Sequence, residues 1–285
     1  MKERTLDCRG RPLVAGGGTR VVGILNVTPD SFFDGGRYAA VEAALAQGRR
    51  MAAEGAAMVD VGGQSTRPGF EDISAADEIA RVVPIVGALA RELEIPISVD
   101  TYKPGVARAA LAAGGHLLND VTGFQGDPGM AAVAAEFRCP VILMHNDAGF
   151  RGFSGAAMDG LRAFFERSLE IAAKAGVARE AILLDPGIGF SKTHAQNLEI
   201  LGSLAILREF GLPVVLGVSR KSVIGRTLGV APAESLEGTL ALTALAAAQG
   251  VDFVRVHDVL ANVRAAAMAR AVLDNPSLRR DSPVA

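Results

Sequence analysis

The sequence predicts an α/β protein: a single-domain (β/α)8 TIM barrel with a short N-terminal extension closing its bottom. Three observations lead there. Short apolar runs recur at 21–25, 58–61, 97–99, 116–118, 140–144, 181–184, 213–218 and 252–256. They lack polar alternation, as strands buried on both faces of a parallel sheet do. Between them lie alanine-rich segments of helical spacing, often followed by glycine, as at Gly55, Gly114, Gly115, Gly176, Gly211 and Gly250. Glycine just past a helix is a C-terminal stop. Repeated about eight times, this unit fits a closed barrel better than an open doubly wound sheet.

From the N-terminus, residues 1–20 are the extension, expected as a hairpin turning at Gly16-Gly17-Gly18. The barrel occupies 21–274, and 275–285, with Pro276, Ser277, Arg279, Arg280 and Pro283, reads as a flexible tail. The first strand ends at Asn26, because Thr28-Pro29 prevents its continuation. In the helix expected over 41–55, Val41, Ala44, Leu45, Gly48 and Met51 share one face, while Glu42, Gln47 and Arg49 or Arg50 meet water. The second strand ends at Asp60, the third at Asp100, the fourth at Asn119-Asp120, the fifth at His145 and the sixth at Asp185. The seventh leads through Ser219-Arg220 to Lys221, and the last ends at Arg255 and His257. One Asp or Asn at such a place is an ordinary helix cap. A ring of them at the C-terminal strand ends is where a barrel enzyme keeps its active site.

Composition excludes several classes. A net charge of −2 lacks the basic excess of a nucleic-acid binder. No apolar run approaches the roughly 20 residues of a membrane span, and charges at the N-terminus stand where a signal peptide is apolar, so a cytoplasmic protein is expected. Cys8 and Cys139 have no metal spacing and read as reduced thiols. The sequence has neither the HExxH of a catalytic zinc site nor the GxSxG of a serine hydrolase. "DPGIGF", from Asp185 to Phe190, lacks the spacing of a phosphate loop; its glycines suit close approach of backbone to a flat ligand, with Phe190 or Met144 against the ring.

The ring suggests its own ligand. Asp100, Asn119 and Asp185 in the upper core need partners, and a flat heterocycle with several N–H donors would supply them. Lys221 could meet a ring nitrogen or carbonyl. Arg255 and His257, one residue apart in register, point the same way and would make an anion site. Asn26 is a reasonable weak oxygen ligand for Mg²⁺ sharing its shell with water and phosphate. The segments 28–38 and 62–70 mix Gly and Pro with Phe32, Phe33, Asp34, Thr66 and Arg67, and read as lids over a second substrate.

Seven segments, "GILNVTPDSFFDGG", "DVGGQSTRPG", "SVDTYKP", "LLNDVTG", "LLDPGIGF", "GVSRKS" and "VRVHDV", together resemble the dihydropteroate synthase family of pterin-binding enzymes, in the family's order. The resemblance implies a (β/α)8 transferase of folate biosynthesis. It joins 7,8-dihydropterin-6-ylmethyl diphosphate to 4-aminobenzoate, releases pyrophosphate, and passes through a cationic pterin-methyl intermediate. Carried over, Asp100, Asn119, Asp185 and Lys221 would hold the pterin, with Met144, Phe190 and Gly217 lining its site, and Asp100, Asp185, Lys221 and Arg255 would be catalytic. Asn26 would help bind Mg²⁺, with Asn26, Arg255 and His257 at the diphosphate. Phe32, Thr66, Arg67, Pro68, Lys221 and Ser222 would surround the aminobenzoate, and an Asp34–Arg67 ion pair would close the loops. A homodimer and binding of sulfonamides, as aminobenzoate mimics, are further implications; no nucleic-acid or membrane partner is implied.

Three positions depart from the family pattern: Gln64 stands where GGEST has Glu, Phe33 where Ser follows Phe, and Asn146–Phe150 replaces a Met and downstream Gly-Pro. All lie where the second substrate or a flexible loop is expected. Rival readings are a pterin-binding paralogue without synthase activity and a methyltetrahydrofolate-binding methyltransferase, which has no use for the diphosphate groups.

Overall fold

The computed structural model describes residues 3–27, 36–64 and 72–275. The chain begins with an antiparallel hairpin, β1 (Arg4–Cys8) and β2 (Arg11–Ala15). It turns at Arg9 and Gly10, whose φ of 54° and 87° give the left-handed pair a two-residue hairpin needs. The expected turn at the triple glycine is therefore misplaced. Those glycines connect the hairpin to the barrel, and the Gly16 N–H donates to the buried carboxylate of Asp252 at 2.8 Å.

Eight parallel strands follow: β3 (Arg20–Asn26), β4 (Ala56–Gly62), β5 (Ile97–Asp100), β6 (Leu117–Asp120), β7 (Val141–Met144), β8 (Ile182–Asp185), β9 (Val215–Gly217) and β10 (Phe253–Val256). They pair in the order β8-β7-β6-β5-β4-β3-β10-β9. The ring closes between β8 and β9 through a parallel bridge from Leu184 to Val214, where the Leu184 N–H donates to the Pro213 carbonyl at 2.9 Å. The fold is the (β/α)8 barrel the sequence predicts. Each apolar run became a strand with shifts of a residue or two at its ends.

The longer helices between the strands are α1 (Gly36–Ala53), α2 (Ala75–Glu92), α3 (Pro104–Ala112), α4 (Gly129–Phe137), α5 (Ala157–Ala175), α6 (His194–Gly202), α7 (Ser222–Leu228), α8 (Leu236–Ala248) and α9 (Val259–Leu273). In α1 the expected stripe holds: Ala44, Leu45, Gly48 and Met51 are buried, while Glu42, Arg49 and Arg50 are exposed. Helix α2 starts because the Ser74 hydroxyl accepts the Asp77 N–H. Helix α5 ends at Gly176, where a φ of 85° suits a residue without Cβ.

Side chains alternate along a strand, so residues two apart share the barrel interior. Val22, Met58, Leu117, Ile142, Leu183, Val215 and Phe253 form a fully buried apolar floor, and Leu6, Cys8, Leu13 and Ala15 of the hairpin pack beneath it. Two residues further on, the same strands carry Ile24, Asp60, Asn119, Met144, Asp185, Gly217 and Arg255. The interior thus changes from apolar floor to polar mouth within one strand step. Burial pushes the Cys8 and Cys139 thiols up to about 12, which leaves both unreactive.

Candidate active site

At the mouth, Asp100, Asn119, Val121, Met144, Asp185, Gly187, Phe190, Gly217, Lys221 and Arg255 surround a recess. The sequence-predicted pterin set (Asp100, Asn119, Met144, Asp185, Phe190, Gly217 and Lys221) is brought together there in full. Strand pairing explains part of it: Asp100 is the register partner of Asn119, and Met144 of Asp185.

Arg255 crosses the recess between two carboxylates. Its Nε donates to Asp60 Oδ2 at 2.5 Å and its NH2 to Asp100 Oδ2 at 2.7 Å. Asn119 Nδ2 also donates to Asp60 Oδ2, at 2.9 Å. Burial opposes the Arg255 charge, but Asp60 and Asp100 outweigh it and hold its pKa above the ordinary value. Burial pushes the Asp100 carboxyl up to about 7, with Arg255 pulling the other way and Asp60 adding to the rise. Burial also raises Asp185, whose Oδ1 accepts the Gly187 N–H at 2.7 Å. The second oxygens, Asp60 Oδ1 and Asp100 Oδ1, are buried without a hydrogen-bond partner among the described residues. Two orphaned acceptors lying this close to an open recess are the complement of a ligand rich in N–H donors.

The wall opposite is the segment after β8. Gly187 has a φ of 64°, and a Cβ there would collide with the carbonyl oxygen of His145. Only glycine fits, for reasons of both strain and space. Phe190 closes the wall, and the Lys221 ammonium lies over its ring, 3.8 Å from the centroid. Behind this wall Lys192, only 5% exposed, contacts His145, Gly187 and Phe190.

Strands β3 and β10 lead to the residues expected at the diphosphate. Arg255 is held inside the recess by Asp60 and Asp100, and His257 lies beyond the end of β10, its Nδ1 3.0 Å from Ser219 Oγ. Asn26 ends β3 half-buried, and Ser222 is exposed at the start of α7. Phe32, Phe33, Asp34, Thr66, Arg67 and Pro68 lie outside the described residues.

The described ends of the second of these segments are tied to one lysine. Lys103 Nζ donates to Gln64 Oε1 at 2.7 Å and to the Ile73 carbonyl at 2.5 Å, and pairs with Asp72 at 2.9 Å and buried Glu78 at 3.0 Å. Gln64 Nε2 donates to the Tyr102 hydroxyl at 3.0 Å, which donates onward to Asp72 at 2.8 Å. Hydrogen bonds from Lys103 and then Tyr102 pull the Asp72 carboxyl down to about 2. Sequence reasoning named Asp60 only as a strand end, and did not find Lys192, Lys103, Tyr102 or Glu78. Lys103 and Tyr102 sit within "SVDTYKP", so nearness to a site segment was the available signal; Lys192 had none beyond following "DPGIGF".

A closed (β/α)8 barrel with an acceptor-rich recess at its C-terminal mouth is the architecture of a barrel enzyme. Residues 22–257 match the family described as "Pterin binding enzyme". A dihydropteroate synthase of Clostridium beijerinckii is 46% identical over 258 residues, 90% of this chain and 94% of that one. The Xanthomonas albilineans dihydropteroate synthase solved with 4-aminobenzoic acid superposes with a TM-score of 0.91 at 42% identity, covering 96% of this chain and 100% of that one. The Yersinia pestis dihydropteroate synthase solved with a sulfonamide drug gives a TM-score of 0.88 at 40% identity, over 95% of this chain and 99% of that one. This chain belongs to the dihydropteroate synthase family of pterin-binding enzymes.

Proposed function

We propose that the recess holds the dihydropterin ring and that the chain condenses dihydropterin-6-ylmethyl diphosphate with 4-aminobenzoate, as a transferase. The observation that carries this reading is the pair of buried, unpartnered acceptors, Asp60 Oδ1 and Asp100 Oδ1, beside the recess. Asp100, Asn119, Asp185 and Lys221 read the ring's donors and carbonyl, with Met144 and Phe190 against its faces. The C–O bond to the diphosphate breaks first, and the leaving group takes the electron pair. The carboxylates of Asp60, Asp100 and Asp185 favour the positive charge left on the pterin methyl and ring. The aminobenzoate nitrogen then forms the C–N bond and releases a proton to water. No protein nucleophile takes part.

Arg255 and His257 serve the diphosphate in this scheme, Arg255 by exchanging a carboxylate for a phosphate oxygen. Among the described residues no cluster of three acidic, His or Cys side chains could cage a metal. A single carboxamide such as Asn26 fits Mg²⁺ arriving with the diphosphate, since Mg²⁺ keeps water and phosphate oxygens in its shell. That ion would supply charge neutralisation to the leaving group. Lys221 and Ser222 flank the aminobenzoate in this scheme, and sulfonamides compete for its place; Phe32, Asp34, Thr66, Arg67 and Pro68, expected there from the resemblance, lie outside the described residues.

The proposal extends to assembly. Leu245, Leu260, Met268, Val272 and Leu273 on α8 and α9 are between 40% and 65% exposed, an apolar face suited to a homodimer. Among the described residues no helix is long and apolar enough to cross a membrane; residence in the cytoplasm is part of the same reading.

The test is pyrophosphate release from dihydropterin diphosphate with Mg²⁺, with and without 4-aminobenzoate. Release that requires aminobenzoate, with dihydropteroate formed, supports the scheme. Tight binding of the diphosphate without release would reduce the chain to a pterin binder.

A further inference from the structure

We infer that Lys192, which faces away from the recess, is a positioning residue that sets the pterin site through its ammonium group. The inference rests on the assignment of the pterin to the recess. Lys192 Nζ is buried behind the 185–190 wall and makes four polar contacts, all to neutral groups. They are His145 Nδ1 at 2.7 Å, the Gly187 carbonyl at 2.9 Å, the Phe190 carbonyl at 3.1 Å and the His145 carbonyl at 3.3 Å. Burial and the nearby Lys192 charge push His145 down to about 2, so its ring is neutral and its Nδ1 accepts.

Three N–H groups thus hold two carbonyls of one wall and the ring at the end of β7. The same two residues carry the ligand side of the wall: the Gly187 N–H donates to Asp185 Oδ1, and Phe190 presents its ring to Lys221. A buried ammonium that only filled space would be poorly chosen. A hydrophobic side chain of similar volume avoids its desolvation, and among the described residues no carboxylate touches it in return.

The charge matters as well as the donors. Burial lowers Lys192 to about 7, while Asp185 favours the charged form, Lys221 opposes it and Asp147 favours it. The groups facing it are therefore His145 and Asp147 after β7, Asp185 at the end of β8, Lys221 before α7, and the Phe150 ring, 5.4 Å away. Deprotonation removes one of the three donors and a positive charge behind Asp185. The wall loosens, and pterin affinity falls on the alkaline side of neutrality.

The experiment measures binding of 6-hydroxymethyl-7,8-dihydropterin by calorimetry from about pH 6 to about pH 9, the range spanning ordinary histidine and perturbed lysine titration. The proteins are wild type, K192M and K192R, with D185N as control; thermal unfolding and the KM for 4-aminobenzoate are recorded alongside. Wild type should bind more weakly as pH rises above neutrality. K192M should weaken binding by about tenfold or more at neutral pH, the scale of a misplaced site group, and lose the alkaline limb, with the aminobenzoate KM little changed. K192R should restore affinity and keep it at alkaline pH. Because Asp100 ionises over the same range, the alkaline fall is also read in D100N, and an affinity there that does not fall above neutrality overturns the inference even if neither Lys192 variant folds. So does K192M with wild-type affinity, or K192R with the wild-type alkaline limb. Unchanged binding in D185N would instead sink the assignment of the pterin to the recess.

Discussion

The floor and the mouth of this barrel are made by the same strands, two residues apart, under opposite rules. At the floor, Met58, Leu117, Leu183 and Phe253 are fully buried in one apolar cluster with Leu6, Cys8, Leu13 and Ala15 of the hairpin. At the mouth, Asp60, Asn119 and Asp185 occupy the next inward positions, nearly as buried but polar, and Arg255 is partly buried beside them. The floor gains from burial itself. The mouth is stable only because Arg255 compensates Asp60 and Asp100, and two acceptor atoms are still left over. Substitutions in the two layers should therefore separate stability from catalysis.

The largest effect is expected at the one residue that serves both. Arg255→Ala leaves Asp60 and Asp100 buried without their cation, which should cost about 3–5 kcal/mol of stability. Turnover should fall by a factor of roughly a thousand. Urea denaturation and steady-state rates check the two halves. A variant with full turnover would show that Arg255 only neutralises the mouth.

Phe253→Ala, two residues earlier on β10, is the contrast. It empties a ring from the floor and should destabilise the fold by about 3–5 kcal/mol. Activity per folded molecule and the KM for pterin diphosphate should stay near wild type. A changed KM would mean that strain at the floor reaches the mouth, and the two layers could not be treated as independent.

Asp100 separates the layers by pH. Its carboxyl sits at about 7 when folded, against roughly 3.9 in an unfolded chain. Between those values the folded chain keeps a proton that the unfolded chain has released. The associated stability is present below about pH 4 and is lost as pH rises through about 7. Asp100→Asn should abolish this slope, measured as the difference between the two proteins in urea unfolding from acid to neutral pH. Pterin binding runs the other way, since an N–H donor needs the carboxylate: wild-type affinity should rise as pH approaches neutrality, and the variant should lack that rise.

The layer rule also explains what the sequence made legible. Every strand was visible because parallel barrel strands are continuous apolar runs, and Asp100, Asn119, Asp185 and Arg255 were visible because each ends such a run. The partnership of Arg255 with Asp60 was not, because it spans 195 residues and depends on barrel closure. Lys192 was hidden for a different reason: a lysine in a loop looks solvated until the fold turns it inward beneath a wall of glycines. The hairpin turn went to Gly16-Gly17-Gly18 on glycine count, whereas the chain placed it at Arg9-Gly10 and used the triple glycine to reach Asp252.

The smallest predicted effect lies where the chain departs from its family. Gln64 gives Lys103 an acceptor and gives the Tyr102 hydroxyl a donor, which frees that hydroxyl to donate to Asp72. Gln64→Glu restores the family's charge but removes the donor, so Tyr102 must divide one proton between two carboxylates, and Lys103 faces a third beside Asp72 and Glu78. The gain in attraction to Lys103 and the added repulsion from Asp72 and Glu78 oppose each other at a position that is itself buried. The KM for 4-aminobenzoate should move by about fivefold at most, an effect of roughly 1 kcal/mol, with turnover and pterin affinity unchanged. Steady-state kinetics with aminobenzoate as the varied substrate decides it. A larger change confined to that KM would place the Lys103 network in control of the second substrate's site, while a change in pterin affinity would break the separation between the two halves of the mouth.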